Sequence, residues 1–338
     1  MADPESAGTE FGTESPGTGP PVLAEVIRSG FVESKHRGSL LVLGADGQPL
    51  LSAGQVSGPM FPRSANKPMQ AAGLLRCGLD LDGKLLALAA ASHSGEDFHV
   101  AGVREILARA GLTENALGCP PALPLDERDQ REILRRGGGP DRVHMNCSGK
   151  HAGMLATCVV AGWPTGSYLD PGHPLQVAIR RAVEDLAGEQ VTAVGVDGCG
   201  APLFALSLNG VARGFHTLVT APPGSAERKV ADAMRAYPEW TSGTRRPERA
   251  LMSAVPGLLV KAGAEGVEGF ALADGRAAAY KLEDGAARAR APVTVALLRR
   301  LGVTAGPGAP DGVLDQIANV PVIGGEQTVG SVRATLPF

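Results

Sequence analysis

Residues 63–76 read RSANKPMQAAGLLR. Ser64 stands at the N-cap position of a run of helix formers, and the pattern predicts one helix from Ser64 to Arg76. Ser64 and Lys67 lie three residues apart, so they share a face of that helix. A desolvated lysine there can take the serine's proton, and a helix N-terminus offers backbone N–H groups to an oxyanion. The plain alternative is a capped helix followed by a surface lysine. Pro68 sits late for a first-turn proline in this register and would leave the Ser64 carbonyl unbonded.

Working outward, 22–28 reads as a strand, and 39–43 and 49–53 flank an Asp46-Gly47 turn, a hairpin signature. Downstream, helical patterns cover 84–91, 100–110, 126–136, 150–161, 175–187 and 226–236. Short strands return at 257–261, 267–272 and 277–282, followed by a helix at 292–301 and a last strand at 330–336. Strands, then helices, then strands indicate an α+β protein. The expected form is a mixed antiparallel sheet from the N- and C-terminal strands with a helical lobe beside it. As domains, this makes a single unit over 21–338, with a sheet lobe from about 21–63 and 255–338 and a helical lobe from about 64–254.

Composition excludes several functions. The chain has 338 residues, a net charge of −3 and 4% aromatic residues, so neither a polyanion-binding field nor a base-stacking surface is expected. No apolar run reaches the roughly 18–20 residues of a membrane span. Residues 1–20 carry Asp3, Glu5, Glu10 and Glu14 but no Lys or Arg, and read as a disordered acidic tail, not a signal peptide. The expected location is the cytoplasm, with no nucleic-acid or membrane partner. Five cysteines, an odd number, argue against a disulfide framework. Among 32 basic residues only seven are lysines, so each lysine is a candidate base.

Three further constellations stand out. Lys261-Ala262-Gly263 falls on a predicted strand, where the plain reading is an ordinary strand-end lysine. Residues 92–97, SHSGED, pack hydroxyls, an imidazole and carboxylates into one loop, which suits either a site loop or a helix end followed by a new N-cap. Residues 146–151, NCSGKH, and 197–200, DGCG, hold Cys147 and His151 at helical spacing and Cys199 farther on. These are either a metal site of thiolate and nitrogen ligands or core cysteines.

Taken in order, RSANKP, SHSGED, NCSGKHAGM, DGC and GLLVK (257–261) resemble the Rhizobium etli-type (class 3) L-asparaginases of the asparaginase II family. The C-S-G-K-H segment with D-G-C is the most specific part, and the resemblance runs from about residue 22 to the C-terminus. It implies a serine β-lactamase/glutaminase-like fold, a homodimer, and hydrolysis of L-asparagine to L-aspartate and ammonia. By motif, it implies that Ser64 with Lys67 and Ser92 with Lys261 form two Ser–Lys pairs. Cys147, Lys150 and Cys199 match metal-ligand positions, with zinc the candidate ion and no organic cofactor. Arg63, His93, Glu96, His151 and Asp197 become candidate substrate-binding groups. The implied mechanism is a Lys67-activated Ser64 that forms an acyl-enzyme. Two features depart from the family pattern: the long acidic tail, and Asp97 where a proline is expected. The alternatives are another Ser–Lys acylase, of β-lactam or peptide type, and a metal- or redox-sensing cysteine protein.

Overall fold

The computed structural model describes residues 19–338, so the expected acidic tail lies, but for its last two residues, outside the described residues. Three N-terminal strands, β1 (Val22–Arg28), β2 (Phe31–Leu43) and β3 (Pro49–Ala53), precede a mostly helical stretch. That stretch holds a two-stranded ribbon, β4 (Val194–Val196) and β5 (Pro202–Phe204). Five strands follow: β6 (Leu259–Ala262), β7 (Val267–Ala271), β8 (Ala277–Leu282), β9 (Val320–Gly324) and β10 (Gln327–Ala334).

Eight of these strands form one antiparallel sheet in the order β6-β7-β8-β2-β1-β10-β9, with β3 added on β2. The early half of β2 pairs with β1, and its later half with β8 and β3. The predicted hairpin is the β2–β3 pair, its turn held by Asp46 Oδ1 accepting from Gln48 N at 3.0 Å. The architecture is α+β, as the order of elements in the sequence predicts.

Ten α-helices lie between β3 and β6: α1 (Lys67–Arg76), α2 (Gly83–Ala89), α3 (Asp97–Arg109), α4 (Glu127–Arg135), α5 (Ser148–Ala161), α6 (Pro174–Ala187), α7 (Leu208–Thr220), α8 (Ala226–Ala236), α9 (Pro238–Thr241) and α10 (Pro247–Ala254), the last leading into β6. Near the C-terminus come α11 (Arg290–Arg300) and α12 (Val313–Ala318). The sheet is covered on both faces, and strand alternation sorts its side chains between two cores. Leu41, Leu43, Leu259 and Ala271 join Met69, Leu86 and Phe215 on the helical-lobe side. Leu40, Val42, Val260 and Phe270 join Leu251, Val293 and Leu297 on the other. Among the described residues no helix is long and apolar enough to cross a membrane.

Several local readings change, two of them around the site and the sheet. Residues 63–66 form a separate 3-10 turn and α1 begins at Lys67. Pro68 is therefore in the first turn of α1, where its missing N–H leaves no intrahelical bond unmade. Helix α7 has no counterpart in the sequence reading. Gly210 and Gly214 lower its intrinsic propensity, yet Val211, Phe215 and Leu218 bury one face against the sheet, and packing prevails.

Candidate active site

Three segments far apart in the chain meet where the sheet faces the helical lobe. Alternation along β6 turns Lys261 to the same side as Leu259. Lys67 opens α1, and the loop after α2 delivers Ser92. Lys67 Nζ donates to Ser92 Oγ at 3.0 Å, to Ala91 O at 2.6 Å and to Cys147 Sγ at 3.1 Å. Lys261 Nζ lies 3.0 Å from the same Ser92 Oγ and 2.7 Å from Ala262 O. All three side chains are buried. Burial, and next the charge of Lys67, push Lys261 well below the usual lysine range. The site thus offers a hydroxyl between two amines, one of which is disposed to be neutral.

Ser64 lies half-buried on the 3-10 turn beside this group. The hydrogen bonds of Lys67 Nζ go to Ser92, Ala91 and Cys147, not to Ser64. The two expected Ser–Lys pairs are therefore arranged as one chain, Lys67–Ser92–Lys261. The glycine of Lys261-Ala262-Gly263 has a packing reason. A Cβ on Gly263 would sit 2.4 Å from Pro62 O and 3.2 Å from Ala65 N, so only glycine lets β6 press against the turn that carries Ser64.

A second group gathers beside the first. The Cys147 and Cys199 sulfurs and an Asp197 oxygen lie within 4.8 Å of one another. Lys150 Nζ donates to Cys199 Sγ at 3.2 Å. A hydrogen bond from Cys147 holds Cys199 far below the ordinary thiol range, with Lys150 and His151 assisting against burial. The same hydrogen bond and burial raise Cys147 well above it. The pair therefore keeps its remaining proton on Cys147 and a thiolate on Cys199. Burial works against a charged Lys150, but Cys199 and Cys147 outweigh it and its pKa is raised. Two sulfurs, an amine and a carboxylate in a buried cluster fit a zinc ion, provided Lys150 gives up its proton on binding. Gly149 permits this cluster, since a Cβ there would lie 2.5 Å from Leu88 O at the end of α2.

The remaining candidates divide. Arg63 Nε donates to Asp197 Oδ1 at 2.8 Å, and Arg63 Nη1 lies 3.9 Å from Glu265 Oε1. Arg63 and Glu265 both hold left-handed backbones, with φ of 52° and 57°. Such conformations are uncommon for residues other than glycine. His151 Nδ1 is 2.6 Å from the Tyr168 hydroxyl, which also accepts from Gly118 N at 2.8 Å. Tyr168 was not signalled by the sequence, since no motif contains it.

His93 is wholly buried, with Nε2 2.9 Å from Ser148 Oγ, and burial pushes its pKa well down. That contact links the 92–97 loop to α5. The Glu96 carboxylate accepts from Thr244 N at 2.8 Å and from Thr244 Oγ1 at 2.7 Å. These bonds tie the 92–97 loop to the segment before α10. Asp97 is an exposed acid in the first turn of α3, where it complements the helix dipole.

Residues 24–334 match the family model described as L-asparaginase II. No curated protein matches the chain. Similar solved structures include a β-lactamase from Mycobacterium bovis, at 16% identity and a TM-score of 0.42, covering 78% of this chain and 94% of that chain. A Bacillus glutaminase is 13% identical, with a TM-score of 0.34, covering 73% of this chain and 83% of that chain. A hydrolase with promiscuous acyltransferase activity is 12% identical, with a TM-score of 0.39 and coverage of 83% and 93%. The family model spans nearly all of the described chain, including every residue of the Lys67–Ser92–Lys261 group and of the sulfur cluster, and the chain belongs to the L-asparaginase II family.

Proposed function

We propose that the chain is an L-asparagine amidohydrolase that releases ammonia and L-aspartate through a serine acyl-enzyme. The observation that carries this reading is the Ser92 hydroxyl, 3.0 Å from both Lys67 Nζ and Lys261 Nζ in a buried setting. Lys67, at the end of the turn that bears Ser64, passes a proton through Ser92 to the neutral Lys261 as it takes one from Ser64. Ser64 attacks the side-chain amide as it loses that proton. The same proton goes to the departing ammonia. Water hydrolyses the ester by the reverse route, freeing aspartate.

Arg63 and Asp197 present a cation and an anion side by side, which matches the α-carboxylate and α-ammonium of a free amino acid. Zinc, held by Cys147, Lys150 and Cys199, would supply a fixed positive charge beside these groups.

The test is ammonia release from L-asparagine, with L-glutamine beside it, by wild-type, Ser64→Ala and Ser92→Ala protein. A diazoketone analogue of asparagine, followed by peptide mapping, locates the acylated hydroxyl. The expected adduct is on Ser64. Turnover surviving in Ser64→Ala, with the adduct on Ser92, favours the second reading, in which the serine bonded to both lysines is itself the nucleophile. No ammonia from either amide, with zinc supplied, overturns the amidohydrolase reading.

A further inference from the structure

Behind β6, on the sheet face turned away from the site, lies a cluster of opposite charges. Alternation puts it there: Ala262 pairs with Glu268 of β7, and Glu268 shares the face of Phe270, opposite to Lys261. Glu248 of α10 meets Arg246 at 3.3 and 3.4 Å and Arg290 of α11 at 3.5 Å. Arg290 Nη1 also lies 3.8 Å from Glu268 and donates to Gly263 O at 3.5 Å. The Thr294 hydroxyl donates to Glu268, and the Tyr280 hydroxyl donates to Arg290 O at 2.9 Å. Both carboxylates are buried. A buried ionic set of this kind is a poor source of stability compared with apolar packing of the same volume. Its place directly under the strand of Lys261 gives it another use.

The groups that act on Lys261 come from each neighbouring element. Lys67 of α1 stands in front, with Arg246 and Glu248 from α10 and Arg290 from α11 behind. Glu268 on β7 lies beside them. Burial opposes the Glu248 charge, yet Arg246 and Arg290 hold it down to about 2, so it is a lasting anion. That anion favours a proton on Lys261, while the two guanidiniums oppose it.

We propose that Arg246, Glu248 and Arg290 are positioning residues for Lys261: Arg290 fixes the end of β6 through Gly263, and the three charges set how tightly Lys261 holds its proton. The inference rests on the reading of Lys261 as the final proton acceptor, and its test separates the two.

The test compares Glu248→Gln with Arg290→Met by two readouts. One is the acid limb of the kcat/KM profile for L-asparagine. The other, independent of turnover, is NMR titration of lysines labelled with 13C at Cε. The chain has seven lysines, and the Lys261 resonance is identified by its loss in Lys261→Arg. Glu248→Gln is expected to lower the Lys261 midpoint and Arg290→Met to raise it, each by about half a pH unit or more. Arg290→Lys should return it towards wild type. Purely structural damage would not move the midpoint in opposite directions. Shifts of the same sign, or none in folded variants, overturn the proposal. NMR shifts without a matching shift in the rate profile uphold the charge set and remove Lys261 from the acceptor role. If Arg290→Met fails to fold, Arg246→Gln supplies the upward arm, because Glu248 then keeps Arg290 as its partner.

Discussion

Ser92 Oγ and Lys261 Nζ are 3.0 Å apart although 169 positions separate them in the chain, and Lys67 closes on the same oxygen from the other side. Removing that hydroxyl breaks the path between the two amines. Ser92→Ala should lower kcat by about 10²–10⁴-fold, the usual value of a positioned acid–base group, with KM little changed. Steady-state kinetics on protein of unchanged circular dichroism checks this.

Arg63 carries the cation of the proposed amino-acid clamp. Arg63→Ala should raise KM for L-asparagine by about tenfold or more while kcat falls less, since a bond made equally in ground and transition states is lost. A kcat loss with constant KM would instead place Arg63 in the chemistry.

The sulfur cluster makes a separate prediction. Zinc titration against a chelating dye should find stoichiometric binding in wild type and its loss in Cys199→Ala, where the thiolate is gone. Lys150→Met should bind more weakly than wild type, and its apparent affinity should lose the steep pH dependence that a lysine ligand imposes.

His99 sets an acid limit on stability. Burial pushes it down to about 4, although Glu239 O accepts from its ring at 2.9 Å. An unfolded histidine binds its proton near pH 6.5, so between about 6.5 and 4 the unfolded state binds more protons. Stability is therefore full above that window and falls through it as pH drops, by about 3 kcal/mol from this group. His93 shifts in the same direction. Urea unfolding at several pH values should record the fall, and His99→Phe should flatten it.

Gly263→Ala forces a methyl against the Pro62 carbonyl, at 2.4 Å in the present geometry. Overpacking of this kind costs about 1–3 kcal/mol. Because the displaced turn bears Ser64, turnover should fall further than the loss of stability explains, as measured by urea melts and kinetics on the folded fraction.

Most of the candidate site was legible because its residues sit in short motifs whose glycines and charges are unusual. Residues 63–68, 92–97, 146–151, 197–199 and 261–263 converge in space although no single spacing relates them. Much of the sheet was legible through short strand runs bounded by turn residues and the Asp46-Gly47 turn, but β9 and the first half of β2 had no counterpart. What escaped depends on tertiary approach. Spacing along a helix paired Lys67 with Ser64, but the lysine stem reaches across to Ser92, where Lys261 also arrives. The bond between Thr244 and Glu96 joins positions 148 apart. Tyr168 belongs to no motif and meets His151 only after α5 has packed. Helix α7 is carried by burial and not by local preference, and β4 and β5 span only three residues each.

The position of β6 has a consequence for biosynthesis. It reaches β2 only through β7 and β8, so its place in the sheet depends on strands that end at Leu282. A nascent chain can carry the N-terminal hairpin, α1 and the cysteine helix early. It cannot bring an amine to the far side of Ser92 until those later strands have emerged. Unfinished chains therefore hold Lys67 and Ser92 without Lys261, and translation arrested before β8 should yield polypeptide that lacks the assembled centre.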